Sequence, residues 1–189
     1  MTLEDYFKGV QTKLRGELDT FLNVQIGAGA LAMIDRRVRQ KGEKSEGGQF
    51  KPYSSKPTLI GASSFTSKTH SDKVFGKEKN KALDWVTYRG HKLAVMPGGY
   101  KQIREVEGRQ TDHKDFERTS ALWQSIHVIG TKETAPGRYQ TSVGTENPAS
   151  INKMQGIIDR EASELLSLSE SEAQTLSNVL AEKLKTIFE

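Results

Sequence analysis

The stretch TDHKDFE gathers the side chains that could carry metal or acid–base chemistry. Asp112, His113, Asp115 and Glu117 put carboxylates beside an imidazole, a combination that could bind a hard divalent ion. The other three histidines are scattered along the chain, so no second imidazole lies close in sequence. We therefore expect a solvated loop with no catalytic residue, metal or cofactor. A hydrolase or nuclease that uses this cluster is the least favoured alternative.

A second candidate is the glycine-rich stretch GGQFKPYS, residues 47–54. Gly42 and Gly47 have the spacing of the first two glycines of a P-loop. However, Gly48 and Gln49 stand where a P-loop requires Lys followed by Ser or Thr. The preceding segment is a basic helical pattern, whereas a P-loop follows an apolar strand. This stretch is therefore not predicted to cradle a phosphate.

Basic side chains are concentrated in the middle of the chain. From Lys51 to Arg104 there are eleven Lys or Arg against three acids, and from Thr145 onward there are eight acids against four bases. Lysines around Phe75 suit sequence-independent phosphate contacts with an occasional stacked ring. Our candidates for contacts with a polyanion or with a neighbouring copy of the chain are Arg36, Arg37, Arg39, Lys68, Lys73, Lys77, Lys79 and Lys81. The alternatives are a solvated lysine-rich loop and, for the arginines, complementation of a helix dipole.

Composition excludes several classes of protein. The 189 residues, 34% hydrophobic and 28% charged, suit one compact domain. The absence of cysteine excludes disulfides, thiolate catalysis and thiolate-ligated metals. No apolar run approaches the roughly 20 residues of a membrane span, and the acidic start MTLEDYFKG is unlike a signal peptide. We expect a soluble protein with no membrane partner.

The elements that must position these residues begin and end with helices. Apolar residues at helical spacing predict helices over 2–22 and 23–40, the second ended by Gly42 and carrying a small-residue surface for close packing. Near the C-terminus the spacing predicts a helix over 149–166. The sequence SESE, residues 169–172, is a capping box that opens a last helix.

Two hairpins are predicted between the helices. The first pairs 85–88 with 92–96 through a turn at Arg89-Gly90, and the second pairs 122–131 with 139–143. Residues 43–83 show no periodicity and are predicted to be a loop, with a mobile arm at about 55–83. The fold class is therefore α+β: an antiparallel sheet of two hairpins, flanked by N-terminal and C-terminal helices, in a single domain with a long basic insertion at 55–97.

An ordered series of short motifs also runs along the chain. The residues that carry it are Gly47, Phe50, Pro52, Tyr53 and Ser54, then Tyr100, Lys101, Arg104, Gly108 and Arg109, then Phe116, Thr119, Leu122, Ser125 and Ile126, and finally Leu166, Leu168, Ser169 and Glu172. This series resembles the virion-morphogenesis or tail-completion proteins of tailed bacteriophages, relatives of the Mu-type G protein and the small head–tail connectors. The chain departs from that pattern at Ser120, where the family has Gly, and at DREASEL, where it has Pro-Ala-Arg-Pro-Phe.

The resemblance implies a structural virion protein and not an enzyme. Such a protein forms a ring in the phage neck, between portal and tail, around the DNA channel. Its expected partners are further copies of itself in a ring of about 6 or 12, the portal and other neck or tail proteins, and genomic DNA without sequence preference. It would be located in the virion, and in the host cytoplasm during assembly. The alternative is a small sequence-independent nucleic-acid-binding protein.

The resemblance also gives GGQFKPYS a structural role. In this interpretation the glycines free the backbone, Phe50 anchors on the core and Pro52 fixes the direction in which the chain leaves. The basic insertion that follows would be an assembly arm.

Overall fold

The computed structural model describes residues 3–76, 83–136 and 138–188, and the chain divides into two compact units. The first unit comprises Met1–Gly48 and Ser120–Glu189, and the second comprises Gln49–Thr119. The second unit extends beyond both ends of the insertion predicted at 55–97, and the added residues include motif residues on both sides. None of the described helices has the length and apolar character needed to cross a membrane.

One continuous helical segment begins the first unit. Helix α1 (Leu3–Phe21) leads into a π-helical segment (Leu22–Gly27), then helix α2 (Ala28–Asp35) and a second π-helical segment (Arg36–Lys41). The predicted break between residues 22 and 23 is wrong, because the backbone at the junction remains right-handed helical. Gly42, with φ of 67°, ends the segment as predicted.

The small residues of this segment are sites of close packing. A Cβ atom on Gly27 would lie 2.8 Å from both γ-methyl groups of Val128, and one on Gly29 would lie 3.2 Å from a δ-methyl group of Leu176. These distances show that the helix lies against the second hairpin at Gly27 and against the last helix at Gly29. The predicted small-residue packing surface is therefore confirmed at Gly27, Gly29 and Ala30, whereas Ala28 and Ala32 are exposed.

The second hairpin begins later than predicted. Its strands are β4 (His127–Ala135) and β5 (Arg138–Gly144), paired antiparallel in the first unit. Leu122 instead lies on the short helix α5 (Ala121–Gln124), which follows Ser120 in the left-handed conformation. The amide and hydroxyl of Ser125 both donate to the Leu122 carbonyl, and these bonds stabilise a helical turn where a strand was predicted.

Two helices complete the first unit. Helix α6 (Pro148–Glu161) is capped by the Asn147 side chain and ends at Ala162, with φ of 50°, earlier than the predicted end at residue 166. Helix α7 spans Glu170–Phe188. The capping box that opens it is confirmed: the Glu172 carboxylate accepts from the Ser169 amide at 2.8 Å, and the Ser169 hydroxyl accepts from the Glu172 amide at 3.3 Å.

The second unit contains a three-stranded antiparallel sheet. Its strands are β1 (Thr58–Ile60), β2 (Trp85–Tyr88) and β3 (His91–Met96), in the order β1-β3-β2. The predicted first hairpin is confirmed, with positive φ at Arg89 and Gly90 in its turn. The α+β class and the flanking helices are also confirmed. The two hairpins were expected to share one sheet, but they belong to separate sheets. The first hairpin is extended by β1, which pairs with β3, and the second hairpin forms a two-stranded sheet of its own.

Two helices cover one face of this sheet. Helix α3 (Lys68–Phe75) and helix α4 (Gly99–Val106) contribute to a core cluster with the strands. The buried members of that cluster are Ile60, Phe65, Val74, Ala94, Met96 and Ile103. The prediction of a loop over 43–83 is therefore wrong for residues 58–75. These elements are too short to show periodicity, and their burial depends on residues distant in sequence.

Candidate functional site

The polar centre of the second unit joins motif residues from two separate segments. Arg104 Nη2 donates to Asp115 Oδ2 at 2.7 Å, and the Tyr53 hydroxyl donates to Asp115 Oδ1 at 2.6 Å. The Arg104 side chain is 1% exposed, and its guanidinium lies 4.3 Å from the centroid of the Tyr53 ring. We call Tyr53, Arg104, Gln110 and Asp115 the buried network.

Every oxygen of the Asp115 carboxylate has hydrogen-bond donors. Gln110 Nε2 donates to Oδ2 at 2.9 Å, and the Glu117 amide donates to Oδ1 at 2.8 Å. The Arg104 guanidinium also donates to the carbonyls of Gln110 and Glu117. A buried charge pair is tolerated when the remaining donors and acceptors are satisfied in this way. The expectation of a solvated loop is therefore wrong at Asp115, although Asp112 is exposed.

The protonation states in the buried network are fixed by its contacts. Burial pushes the pKa of Asp115 upward, but hydrogen bonds from Tyr53, the Glu117 amide and Gln110, with the charge of Arg104, outweigh it and the pKa is lowered. Burial, followed by the hydrogen bond to Asp115, raises the pKa of Tyr53 well above its ordinary value. At neutral pH the network therefore holds a carboxylate, a guanidinium and a neutral phenol. These groups bind one another and so hold separate segments of the second unit together.

The aromatic motif residues pack beside the network. Phe50 is 4% exposed and meets the edge of the Phe116 ring, with centroids 4.8 Å apart. The Tyr53 and Tyr100 rings lie 5.6 Å apart. Phe50 therefore lies in the core, as the structural interpretation of GGQFKPYS expected, whereas Pro52 is exposed. In the first unit, Gly47 has φ of 92°, a conformation that glycine adopts without strain.

A second buried carboxylate was not singled out in the sequence. The Glu107 side chain is 0% exposed and forms ion pairs with Arg118 at 3.3 Å and with Arg109 at 3.5 Å. It also accepts from the Thr66 amide at 3.1 Å. Burial pushes its pKa upward, but the bonds from Thr66 and Arg118 outweigh burial and lower it. The motif residue Arg109 is thus part of an internal ion-pair cluster, and only its acidic neighbour at 107 could have indicated this.

The arginines predicted as an assembly or DNA-channel cluster behave differently from one another. Arg37 is buried, and its Nε donates to both carboxylate oxygens of Glu172, at 3.0 and 3.1 Å. Arg39 is half-buried and pairs with Asp35 at 2.7 Å, while Arg36 is exposed. Arg37 therefore joins the second π-helical segment to the capping box of α7, and a role for it in binding DNA is not supported.

The lysine candidates lie partly outside the described residues. Lys68 and Lys73 are exposed on α3, and Lys73 Nζ donates to the Val106 carbonyl at 3.0 Å. Lys77, Lys79 and Lys81 fall outside the described residues. Further lysines of the second unit that were not among these candidates are also exposed: Lys51, Lys56, Lys92 and Lys101. The Lys92 ammonium lies 4.3 Å from the centroid of the Trp85 ring, so the two side chains form a cation–π contact.

The two units carry opposite net charge. Residues 49–119 contain 14 Lys and Arg against 8 Asp and Glu, a net charge of +6. The residues of the first unit contain 14 Lys and Arg against 16 Asp and Glu, a net charge of −2. Within the described residues, no group of three or more His, Asp or Glu is placed to hold a metal ion.

Neither the family models, nor the curated proteins, nor the solved structures give a match to this chain.

Proposed function

We propose that this chain is a structural protein of the phage neck, a head–tail connector or tail-completion protein that assembles as a ring around the DNA channel. The observation that carries the proposal is the buried network. Tyr53 belongs to one motif and Arg104 to another, and Asp115 joins them in the core of one unit. Motif residues that hold a fold together are what a structural protein requires.

The chemistry of the motif residues favours a structural role over catalysis. A catalytic acid or base must reach the proton that it transfers. Asp115 is instead enclosed by donors of its own chain, and Glu107 is enclosed by Thr66, Arg109 and Arg118. Phe50 is buried against another ring. These side chains would serve in packing the core. Contacts with other proteins would then be made by the exposed residues.

The charge distribution supports head-to-tail association, in which the second unit of one copy meets the first unit of the next. A unit of net charge +6 and a unit of −2 in the same chain attract each other across neighbouring copies, whereas like units repel. A contact between two different surfaces is heterologous, and such contacts close into rings when the rotation between copies permits. Electrostatics of this kind would guide orientation more than it would add affinity.

The test is the native mass of the purified protein, measured alone and after addition of the portal protein of the same phage. We expect one species at a fixed multiple of 21.1 kDa, either alone or on the portal. A species of 21.1 kDa under both conditions would contradict the proposal.

The exposed lysines of the second unit favour one alternative, sequence-independent binding of nucleic acid. Lys68, Lys92 and Lys101 are exposed on a unit of net charge +6, and Lys92 accompanies an aromatic ring. If this alternative holds, the monomer binds random-sequence DNA at low salt, and affinity falls steeply as salt rises. A connector would bind the same DNA weakly before it assembles.

A further inference from the structure

The three-stranded sheet of the second unit has one covered face and one open face. Directly paired residues of antiparallel strands point to the same side of a sheet. Ile60, Ala94 and Trp85 are aligned in this way and belong to the core cluster on the side of α3 and α4. The other side, which we call the open sheet face, carries Leu59, Val86, Tyr88, Leu93 and Val95, with the exposed His91 paired opposite Tyr88.

The open sheet face is apolar and accessible. Leu59 is 50% exposed, Val86 is 41% exposed and Tyr88 is 56% exposed. Register pairs Leu59 with Val95 and Val86 with Leu93, so the apolar side chains are adjacent across all three strands. Single exposed apolar residues are ordinary on protein surfaces, but a contiguous group marks an interaction site. The strands at both edges of this sheet, β1 and β2, are also short.

We propose that the open sheet face binds the acidic first unit of a second copy of this chain. This inference rests on the proposed ring and names the surface that would form it. Contact between two open sheet faces would bring together two units of net charge +6, which disfavours a symmetric pairing. The first unit of another copy carries net charge −2 and is the complementary surface within the same sequence.

The first unit has a cleft beside α1 and the first π-helical segment. Its volume is about 520 Å³, and it is lined by Gly16, Glu17, Thr20, Phe21, Val24, Gln25 and Lys183. Val24 is 62% exposed, the most exposed of the large apolar side chains described. This cleft therefore combines an exposed apolar side chain with two side chains of opposite charge, Glu17 and Lys183.

Each surface carries an apolar side chain beside charged groups. Tyr88 and its neighbour Arg89, whose guanidinium lies 5.3 Å from the ring centroid, present an apolar body and a cation. In the cleft, Val24 presents an apolar side chain and Glu17 an anion that could pair with Arg89, and Lys183 adds a cation to the same lining. Because the two surfaces differ, each copy can use its sheet face toward one neighbour and its cleft toward the next, as a closed ring requires.

The experiment compares the native masses of the wild type and three single variants. Val86→Lys charges the open sheet face, and Val24→Lys charges the cleft. Ile151→Lys is the matched control, because Ile151 on α6 is 45% exposed and lies on neither surface. We expect Val86→Lys and Val24→Lys each to weaken self-association by about 10-fold or more, while Ile151→Lys assembles like the wild type. Far-ultraviolet circular dichroism checks that each variant is folded.

Mixing the two defective variants tests the direction of the contact. Val86→Lys retains an intact cleft and Val24→Lys retains an intact sheet face, so an equimolar mixture should form a dimer that grows no further. If the mixture remains monomeric, the pairing of these two surfaces is wrong. If folded Val86→Lys assembles like the wild type, the inference fails while the proposed ring stands. If the wild type itself is a monomer under all conditions, the ring and this inference both fail.

Discussion

Arg104 and Asp115 form an ion pair at 2.7 Å, with side chains that are only 1% and 9% exposed. The two residues belong to the segments before and after Gly108, and Tyr53 adds a third segment through the same carboxylate. A buried charge pair is weak support for stability as such, because desolvation offsets its attraction. Removing one partner is costly, however, since it leaves the other charge buried and uncompensated.

Asp115→Asn should therefore destabilise the second unit strongly. The substitution retains size and removes the charge that compensates Arg104, at an expected cost of about 3–5 kcal/mol in the free energy of unfolding. Urea denaturation followed by circular dichroism measures this cost. Asp112→Asn is the matched control from the same stretch, because Asp112 is exposed, and it should change stability by less than about 0.5 kcal/mol. Equal effects of the two substitutions would contradict the account.

The buried network also predicts how stability depends on pH. The lowered pKa of Asp115 means that its contribution is complete above the ordinary aspartate pKa of about 4 and is lost as pH falls through the lower folded value. The raised pKa of Tyr53 acts in the opposite direction: its contribution is complete below about pH 10 and is lost as pH rises beyond it. Urea titrations across the pH range should show a weaker acid dependence in Asp115→Asn and a weaker alkaline dependence in Tyr53→Phe. Unchanged slopes would argue against this assignment.

Arg37 and Glu172 form the corresponding pair in the first unit. Glu172 accepts from Arg37 and caps α7, so Glu172→Ala removes a capping bond and leaves Arg37 without its carboxylate. We expect a loss of about 3 kcal/mol or more in the free energy of unfolding. Glu170→Ala changes an exposed carboxylate in the same turn, and its effect should be less than about 1 kcal/mol. A similar loss in both variants, measured by denaturant titration, would remove the special role of Glu172.

Two glycines of the N-terminal helical segment should change the stability of the protein in opposite directions when replaced by alanine. A Cβ on Gly27 would lie 2.8 Å from Val128, so Gly27→Ala should destabilise by about 1–3 kcal/mol through overpacking. A Cβ on Gly16 would meet no atom within 4 Å, so Gly16→Ala should stabilise by up to about 1 kcal/mol through helix propensity. Thermal unfolding of both variants checks the signs. Stabilisation by Gly27→Ala would show that the hairpin does not lie against this position.

Some of this structure could be predicted from the sequence because its signals are local. The Ser169–Glu172 capping box, the turn at Arg89-Gly90 and the end of the helix at Gly42 each depend on a few adjacent residues. The buried network could not be predicted in this way. Tyr53 is 62 residues from Asp115 in sequence, and Arg104, although only 11 residues from Asp115, lies on the other side of Gly108. These polar residue types usually indicate solvent exposure, and only the fold shows that they meet.

The missed elements have related explanations. Strand β1 and helix α3 are too short to produce a periodic pattern, and they lie among Ser and Lys residues typical of loops. No break occurs near residue 22, because the right-handed helical backbone continues through the π-helical segment, whose Gly27 packs closely on Val128. The residue types of Leu122 and Trp123 favour a strand. The hydrogen bonds from the Ser125 amide and hydroxyl to the Leu122 carbonyl instead stabilise a helical turn here.

Electron microscopy of the purified protein tests whether copies of this chain close into a ring. We expect particles with a central opening and one rotational symmetry in end views, formed by the protein alone or with the portal. The Val86→Lys variant should lack these particles while remaining folded. Featureless monomers under both conditions, or two-fold symmetric dimers without an opening, would contradict the claim.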